Sequence, residues 1–253
     1  MRLLLLGGTH EAKALARSLH AQGIDLVYSI AGLVRHPDLP CQVISGGFSR
    51  SGGLEAYLHE AGIDQVLDAT HPYAVNISRR AAEASAAAGV PCWRYVRPAW
   101  QAQAGDNWHE FDDWRDLALA LVDHRSVFFA SGRLDQDFVN SLYLNVDQKQ
   151  WYRSASTPVF ELPPSMTWIE GIGPFPIEAE RELMRRHAID AVVSKNSGGD
   201  MASAKLTVAR ERGIPVYLLK RKPLPQVERE FDHVDDCRDA VLTWFKSRER
   251  YAD

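Results

Sequence analysis

Two short stretches of the chain place glycines between an apolar run and a helical pattern, an arrangement that can bind an anion. The first is GGTHEA at residues 7–12, after the apolar residues 3–6, and the second is SKNSGG at residues 194–199. At such a turn the first N–H groups of the helix lack intrahelical partners, and the helix dipole favours negative charge. One chain therefore offers two candidate anion sites about 190 residues apart.

GGTHEA occupies the place of the G-x-G-x-x-G/A fingerprint of dinucleotide-binding folds, with Thr9 replacing the middle glycine and Ala12 in the last position. Its context, after a strand and at the start of a helix, suits a pyrophosphate. The alternative is that the glycines only make a tight turn. On the dinucleotide hypothesis, Gly7, Gly8, Thr9, Glu11 and Ala12 belong to a cofactor site.

The end of the second predicted strand bears on the choice of cofactor. Enzymes that bind NAD usually place an acid there, which holds the ribose 2′-hydroxyl and would repel a 2′-phosphate. This strand ends in Ser29, Ile30, Ala31 and Gly32, and no acid is present. Ser29 and Arg35 could hold a phosphate, so the pattern favours NADPH over NADH; the alternative for Arg35 is a solvated loop charge.

Two further loops follow predicted strands of the first half. SGGFSRSGG follows the third strand and contains Gly47, and DATHPYA follows the fourth and contains Thr70, His71, Pro72 and Tyr73. We expect the second loop to lie where the nicotinamide half of a dinucleotide reaches. His71 could donate a proton there, or it could simply be a packed turn histidine.

The elements that must position these turns alternate between strand and amphipathic helix, which predicts parallel sheets covered on both faces. The pattern loosens after Pro98. We therefore predict an α/β fold with two Rossmann-like domains, residues 1–98 and 99–253, parallel sheets flanked by helices, and an active-site cleft between them. The final predicted helix, residues 236–248, is assigned to the second domain; the alternative is that it packs against the first domain.

The two halves also echo each other in sequence. AGIDQVLDATHPYA continues to GVPCWRYVRP, and HAIDAVVSKNSGG continues to GIPVYLLKRKP. A weak internal duplication is the economical explanation. The alternative is convergence of two generic α/β units.

Composition and missing motifs narrow the function. A net charge of −4 lacks the general basic field of a nucleic-acid binder, so no nucleic-acid partner is expected. The apolar opening is too short for a signal peptide or membrane span, so we expect a cytoplasmic protein with no membrane partner. The three cysteines form no CxxC pair and no metal site is expected. P-loop, zincin, GxSxG and Tyr-x-x-x-Lys signatures are also missing.

The stretches GGTHEA, SIAG, GGF, DATHPYA, GIGPF and SKNSGG, in this order, resemble the precorrin-6A reductase family of cobalamin biosynthesis. The resemblance runs from the first strand to about Pro223. It implies a two-domain oxidoreductase in which a reduced nicotinamide cofactor reduces precorrin-6A, a polycarboxylate corrin-ring precursor, to precorrin-6B. The resemblance does not distinguish a cobalt-free from a cobalt-containing substrate. One glycine turn would then bind the cofactor and the other the substrate.

The resemblance also implies a substrate site around the second turn. Its expected members are Arg97, Ser131, Gly132, Arg133, Gly173, Pro174, Phe175, Lys195, Asn196, Ser197, Gly198, Gly199 and Lys205. Lys195 is the strongest of them because it directly follows an apolar strand. His71, Tyr73 and Lys195 are candidate proton donors, and water is an equal alternative.

Two other functions compete with this interpretation. One is an NADPH-dependent reductase of a smaller conjugated substrate, and the other is a protein that senses NADP without turning it over. The second glycine turn and its basic neighbours argue against a sensor, which needs no second anion site. We expect a monomer or a weak homodimer.

Overall fold

A computed structural model describes residues 1–32, 37–143 and 147–249. Its strands are β1 (Arg2–Leu6), β2 (Asp25–Ile30), β3 (Gln42–Ser45), β4 (Gln65–Asp68), β5 (Cys92–Tyr95), β6 (Trp108–Phe111), β7 (Ser126–Phe129), β8 (Lys149–Ser154), β9 (Met166–Glu170), β10 (Ala191–Lys195), β11 (Val216–Leu219) and β12 (Arg229–Phe231). Its α-helices are α1 (His10–Ala21), α2 (Leu54–Glu60), α3 (Val75–Ala88), α4 (Trp114–Ala120), α5 (Gln136–Leu142), α6 (Ile177–Arg186), α7 (Ala204–Glu211) and α8 (Val234–Glu249). Short 3-10 helices, Phe48–Ser51 and Asp200–Ala202, precede α2 and α7.

The strands form two six-stranded sheets in which every pairing is parallel. The first has the order β12-β5-β4-β1-β2-β3 and the second has the order β6-β11-β10-β7-β8-β9. In the first sheet the chain starts at the central strand β1, adds β2 and β3 on one side, and then adds β4, β5 and β12 on the other. The second sheet repeats this order from its central strand β7, while the earlier strand β6 lies at the edge beside β11. The predicted α/β class, with parallel sheets flanked by helices, is confirmed.

The chain divides into one unit of Met1–Pro98 with Pro223–Asp253, and a second unit of Ala99–Lys222. The predicted second domain, residues 99–253, differs from this division at its carboxyl end. β12 pairs with β5 of the first sheet, and Cys237, Val241 and Phe245 of α8 pack in the core with α1. Burial of this apolar helix face assigns the last segment to the first unit.

One strand and one helix of the second unit were not predicted from the sequence. β6 lies in the stretch after Pro98 where the sequence pattern loosens, and its two central residues are exposed. Such a short edge strand has little periodicity of its own, and its pairing with β11 defines it. The seven-residue α5 likewise carries little helical periodicity, although Asp135 caps it by accepting from the amides of residues 137 and 138.

The leucine run of β1 shows why the first strand is central. Leu3 and Leu5 pack with α1 and α8 on one face of the sheet, whereas Leu4 and Leu6 pack with α2 and α3 on the other. Successive side chains of a strand point to opposite faces, so a continuous apolar run fits a strand covered on both sides.

The sequence echo between the halves falls on equivalent structural positions. Asp64, just before β4, accepts a hydrogen bond from the amide of Arg2 at 2.6 Å. Asp190, just before β10, accepts one from the amide of Arg125 at 2.8 Å. Asp64 thus ties the start of β4 to the start of β1, and Asp190 ties the start of β10 to the start of β7, and these pairs of strands occupy matching places in the two sheets. The equivalence supports an internal duplication.

The three cysteines are free thiols in this structure. Cys92 and Cys237 are buried and Cys41 is half-buried. Burial raises the pKa of Cys92 to about 11 and that of Cys237 to about 12, so both are protonated at neutral pH. Over the described ranges, three or more His, Cys, Asp or Glu side chains nowhere gather as metal ligands. No helix within those same ranges has the length and apolarity needed to span a bilayer.

Candidate functional site

The first glycine turn connects β1 to α1 and is fastened to β2. The amide of Gly7 donates to the carbonyl of Ser29 at 2.8 Å, and the amide of Gly8 donates to the hydroxyl of Tyr28 at 2.9 Å. A Cβ on residue 7 would lie 2.2 Å from Cζ of Tyr28. Gly8 has a φ of +116°, which side-chain-bearing residues rarely adopt. Both glycines are therefore required by the shape of the turn.

Thr9 joins this turn to the end of β4. As the N-cap of α1 its Oγ1 accepts from the amide of Ala12 at 3.0 Å, and the same hydroxyl donates to the carbonyl of Ala69 at 3.1 Å. The side chain is buried, so neither bond is replaced by bulk water. Thr9 therefore holds the first turn against the loop that follows β4.

We expect Thr9→Val to lower the free energy of unfolding by about 1–2 kcal/mol, because it removes the cap and leaves two buried polar groups unpaired. Urea denaturation measures the change. Thr9→Ser keeps the hydroxyl and should lose less than half as much. Equal losses in the two variants would show that the methyl group, rather than the hydroxyl, stabilises this joint.

A cavity of about 890 Å³ lies at the carboxyl ends of β1, β2, β3 and β4. This volume is in the range of small-molecule and cofactor sites. The predicted cofactor residues that line it are Gly7, Gly8, Ser29, Ala31, Gly47, Thr70 and His71. The sheet thus brings the first turn and three later loops to one site, as expected for parallel strands.

Other predicted cofactor residues lie elsewhere. Thr9, Glu11, Ala12, Pro72 and Tyr73 are not among the residues that line this cavity, and Ala12 and Pro72 are buried. Gly32 lines a neighbouring cavity of about 420 Å³. Arg35 lies outside the described residues.

The loop after β3 contributes more to the larger cavity than the prediction assigned to it. Gly46, Phe48, Ser49, Gly52 and Gly53 line it in addition to Gly47. The available signal was the density of glycines in SGGFSRSGG, which allows a ligand close approach to the backbone.

The loop after β4 is anchored by a buried ion pair. Oδ1 of Asp68 accepts from the amide of Thr70 at 3.2 Å and from its hydroxyl at 2.7 Å. Oδ2 of Asp68 accepts from Nε of Arg94 at 3.1 Å, and both side chains are almost fully buried. Arg94 also donates to the carbonyl of Pro225 at 2.8 Å. Thr70 is therefore held rigidly at the cavity wall.

His71 and Tyr73 contact each other in the same loop. Nδ1 of His71 accepts from the amide of Tyr73 at 3.3 Å, and the two rings are 5.8 Å apart. In the neutral imidazole this bond leaves the proton on Nε2. Of these two residues, His71 lines the cavity and Tyr73 does not.

Glu11 and Arg97, predicted for cofactor and substrate respectively, form an ion pair with each other at 3.0 Å in the first unit. Burial acts to raise the pKa of Glu11, but the backbone N–H and the Arg97 guanidinium outweigh it and leave the pKa below its usual value. Arg97 thus lies beside the first glycine turn. It belongs to a different unit from the other predicted substrate residues.

The second glycine turn is stabilised by the segment that precedes β6. The side chain of Asn196 accepts from the amide of Trp100 at 2.8 Å and donates to the carbonyl of the same residue at 3.1 Å. The indole of Trp100 donates to the carbonyl of Gly199 at 2.8 Å. The amide of Ser197 donates to the carbonyl of Lys195 at 2.7 Å. Asn196 and the Ser197 amide therefore shape the turn from within.

Lys195 ends β10 and is partly buried. Its Nζ donates to the carbonyl of Arg133 at 2.6 Å and lies 5.6 Å from the centre of the Trp114 ring. Burial lowers the pKa of Lys195 to about 8, while Asp135 acts to raise it and Arg133 acts to lower it further. This ammonium titrates close to neutral pH, which suits either an anion site or an acid.

Three loops of the second unit meet at the carboxyl edge of its sheet. Residues 131–133, 173–175 and 195–199 follow β7, β9 and β10, respectively. A Cβ on Gly173 would lie 3.2 Å from the carbonyl of Met201, so the loop after β9 packs closely on the 3-10 helix that follows the second turn. Phe175 stacks on the guanidinium of Arg153, at 3.5 Å from the ring centre.

Four predicted substrate residues are buried in the second unit, namely Ser131, Asn196, Gly198 and Lys205. Lys205 is 2% exposed, and its Nζ donates to the carbonyl of Ala202 at 2.6 Å and lies 4.7 Å from the Trp100 ring centre. Ser131 is 7% exposed and its hydroxyl has no partner among the described residues. Lys205 is thus directed into the unit because its long apolar stem packs there. Arg133, Gly132 and Pro174 are exposed.

Residues 2–243 match the family model described as "Precorrin-6x reductase CbiJ/CobK". The chain belongs to the precorrin-6x reductase family. The chain is 40% identical over 245 residues to a precorrin-6A reductase of Rhodococcus erythropolis, covering 95% of this chain and 96% of that protein. It is 38% identical to a precorrin-6A reductase of Rhodobacter capsulatus, covering 88% and 89% of the two chains.

Comparison with solved structures agrees with the family. A structure described as "CobK precorrin-6A reductase" superposes with a TM-score of 0.86 at 35% identity, covering 98% of this chain and 96% of that one. A cobalt-precorrin-6A reductase of Priestia megaterium is 25% identical over 244 residues, covering 89% of this chain and 91% of that protein. The family resemblance inferred from the motifs is confirmed, and the chain is an oxidoreductase.

Proposed function

We propose that the chain reduces precorrin-6A to precorrin-6B in cobalamin biosynthesis, with NADPH as the hydride donor. The observation that carries this proposal is 40% identity, across nearly the whole chain, to a protein named precorrin-6A reductase. Identity to the cobalt-precorrin-6A reductase of Priestia megaterium is lower, at 25%. This difference supports the metal-free macrocycle as substrate.

The first unit fits a dinucleotide. Its large cavity begins at the amino terminus of α1, where backbone N–H groups and the helix dipole favour a pyrophosphate. Gly8 lets a ligand approach the backbone at that point, because the space at its Cβ position is open. The strand β2 ends in Ser29 and Ile30 without a carboxylate, which favours a 2′-phosphorylated ribose over a free 2′-hydroxyl.

The second unit fits a polycarboxylate. Lys195 and Arg133 present cationic side chains just beyond β10 and β7, and burial around Lys195 strengthens any ion pair it makes. We assign Lys195 and Arg133 to macrocycle carboxylates. Asn196 and Lys205 act indirectly, by holding the second turn in shape through Trp100.

A reduced nicotinamide supplies hydride when bound, and the protein supplies its position. Thr70 and His71 form the wall of the cavity farthest along the sheet from β3, and the Asp68–Arg94 pair keeps that wall rigid. Nε2 of His71 or the ammonium of Lys195 can deliver a proton to the reduced product, with water as the alternative. Rigid positioning is expected to provide most of the rate acceleration.

Anaerobic incubation of the protein with NADPH and precorrin-6A tests the function. We expect the macrocycle to gain two hydrogens by mass, with one NADPH oxidised per macrocycle and a change in the absorbance of the chromophore. Cobalt-precorrin-6A serves as the second substrate and should react more slowly. Failure to oxidise NADPH with either macrocycle would overturn the proposal.

A further inference from the structure

A second cavity, of about 420 Å³, adjoins the large one at the ends of β2 and β3. The two cavities share four lining residues, Ala31, Gly46, Gly47 and Ser49. The smaller one is completed by Gly32, Ser45 and Arg50. A ligand in the large cavity can therefore extend a substituent into the small one without leaving the first unit.

The lining of the small cavity has the chemistry of a phosphate site. Among the residues that the structure describes, its lining has two hydroxyls, from Ser45 and Ser49, and one cation, Arg50, but no carboxylate. Arg50 makes no ion pair with any residue that the structure describes. The large cavity differs, because Glu55 and Glu83 line it together with a single cation, Arg80, among the described residues. A phosphate dianion is thus more favourable beside Arg50 in the small cavity than beside Glu55 or Glu83 in the large one.

We infer that Arg50, with the hydroxyls of Ser45 and Ser49, binds the 2′-phosphate of NADPH and sets the preference over NADH. This inference rests on the proposed function, since it requires a dinucleotide in the large cavity. The ribose next to the adenine lies at the end of the second strand in such folds, and the small cavity occupies that position.

The expected cation was Arg35, which follows β2, whereas Arg50 follows β3 in the 3-10 helix Phe48–Ser51. The parallel pairing of β2 with β3 places Ser45 beside Ile30, so the loop after β3 reaches the end of β2. A guanidinium offers two parallel N–H donors to a phosphate, which a serine hydroxyl alone cannot replace. The residue that sets cofactor preference therefore lies on the loop after β3, whereas the sequence fingerprint considers the loop after β2.

Fluorescence titration of the whole protein with NADPH and with NADH tests this assignment through binding rather than turnover. We expect Arg50→Gln to weaken NADPH binding by about tenfold to hundredfold, as for loss of a charged hydrogen bond, with NADH binding changed by less than about twofold. Competition by 2′,5′-ADP should weaken in parallel, whereas competition by 5′-ADP should not. Arg79→Gln, an exposed arginine of α3 that lines neither cavity, is the matched control.

The outcomes separate this inference from the function beneath it. An unchanged NADPH-to-NADH ratio in Arg50→Gln, or a loss confined to Arg35→Gln, would overturn the assignment to Arg50 while leaving the reductase intact. Equal affinity of the unmodified protein for the two dinucleotides would do the same. Binding of neither dinucleotide would overturn the proposed cofactor as well.

Discussion

Lys195→Ala is expected to lower kcat/KM for precorrin-6A by about a hundredfold or more, because a partly buried cation that pairs with a substrate carboxylate is lost. The affinity for NADPH should stay within about twofold, since Lys195 lies in the second unit and the large cavity lies in the first. Steady-state kinetics with both substrates, together with NADPH titration, measures the two effects. Comparable losses for macrocycle and dinucleotide would refute this division of labour.

Lys149→Ala is the matched control, because Lys149 is exposed and begins β8 at the opposite edge of the sheet. The pH profile gives a second measurement. The pKa of Lys195 is lowered to about 8, so its charge is lost as the pH rises through 8 and the KM for the macrocycle should increase there. Lys195→Arg keeps its charge and should shift that increase to a much higher pH.

The same pKa determines how Lys195 affects stability. Its ordinary pKa is 10.5, so between about pH 8 and 10.5 the unfolded chain binds more protons at this residue than the folded chain does. Stability therefore gains a contribution that rises with pH across this interval. Lys195→Met should remove that rise, which urea denaturation at a series of pH values would detect.

Gly8→Val is expected to weaken NADPH binding by roughly a hundredfold, because a β-branched residue at φ +116° strains the turn and occupies the backbone surface that a pyrophosphate approaches. The KM for the macrocycle should change little. The measurement is a fluorescence titration with NADPH, accompanied by thermal unfolding.

Gly23→Val provides the control for Gly8→Val. Gly23 also has a positive φ, of +85°, and open space around its Cβ position, but it lies outside both cavities. The two variants should lose similar stability, and only Gly8→Val should lose dinucleotide affinity. If Gly23→Val weakened NADPH binding as much, backbone strain rather than occlusion would explain the loss at Gly8.

The sequence predicted a helix or strand correctly where the pattern of apolar residues within that element was clear. The leucines of β1 and the helical spacing of Ala12, Leu15, Ala16 and Leu19 in α1 are each readable within a few residues. The glycine turn between them follows from the same stretch. The family resemblance rests on such local motifs, and the comparison with known proteins confirmed it.

Long-range pairing decided what those motifs could not. β12 and β6 are three and four residues long, and each is defined by a partner strand more than 100 residues away. Asn196 and Lys205 were predicted to bind substrate, but both contact Trp100, about 100 residues earlier in the chain. Asn196 forms hydrogen bonds with the backbone of Trp100, and the Trp100 ring packs over the ammonium of Lys205. Polar and basic residue types alone do not distinguish a ligand contact from an internal one.

The amino-acid sequence by itself determined the α/β class, the two glycine turns and the family, since periodicity and turn chemistry are properties of neighbouring residues. Tertiary structure alone decided which side chains share a cavity. Ser45 and Arg50 reach the end of β2 only because β3 lies beside it. Parallel pairing brings together residues far apart in the chain, and no local pattern carries that information.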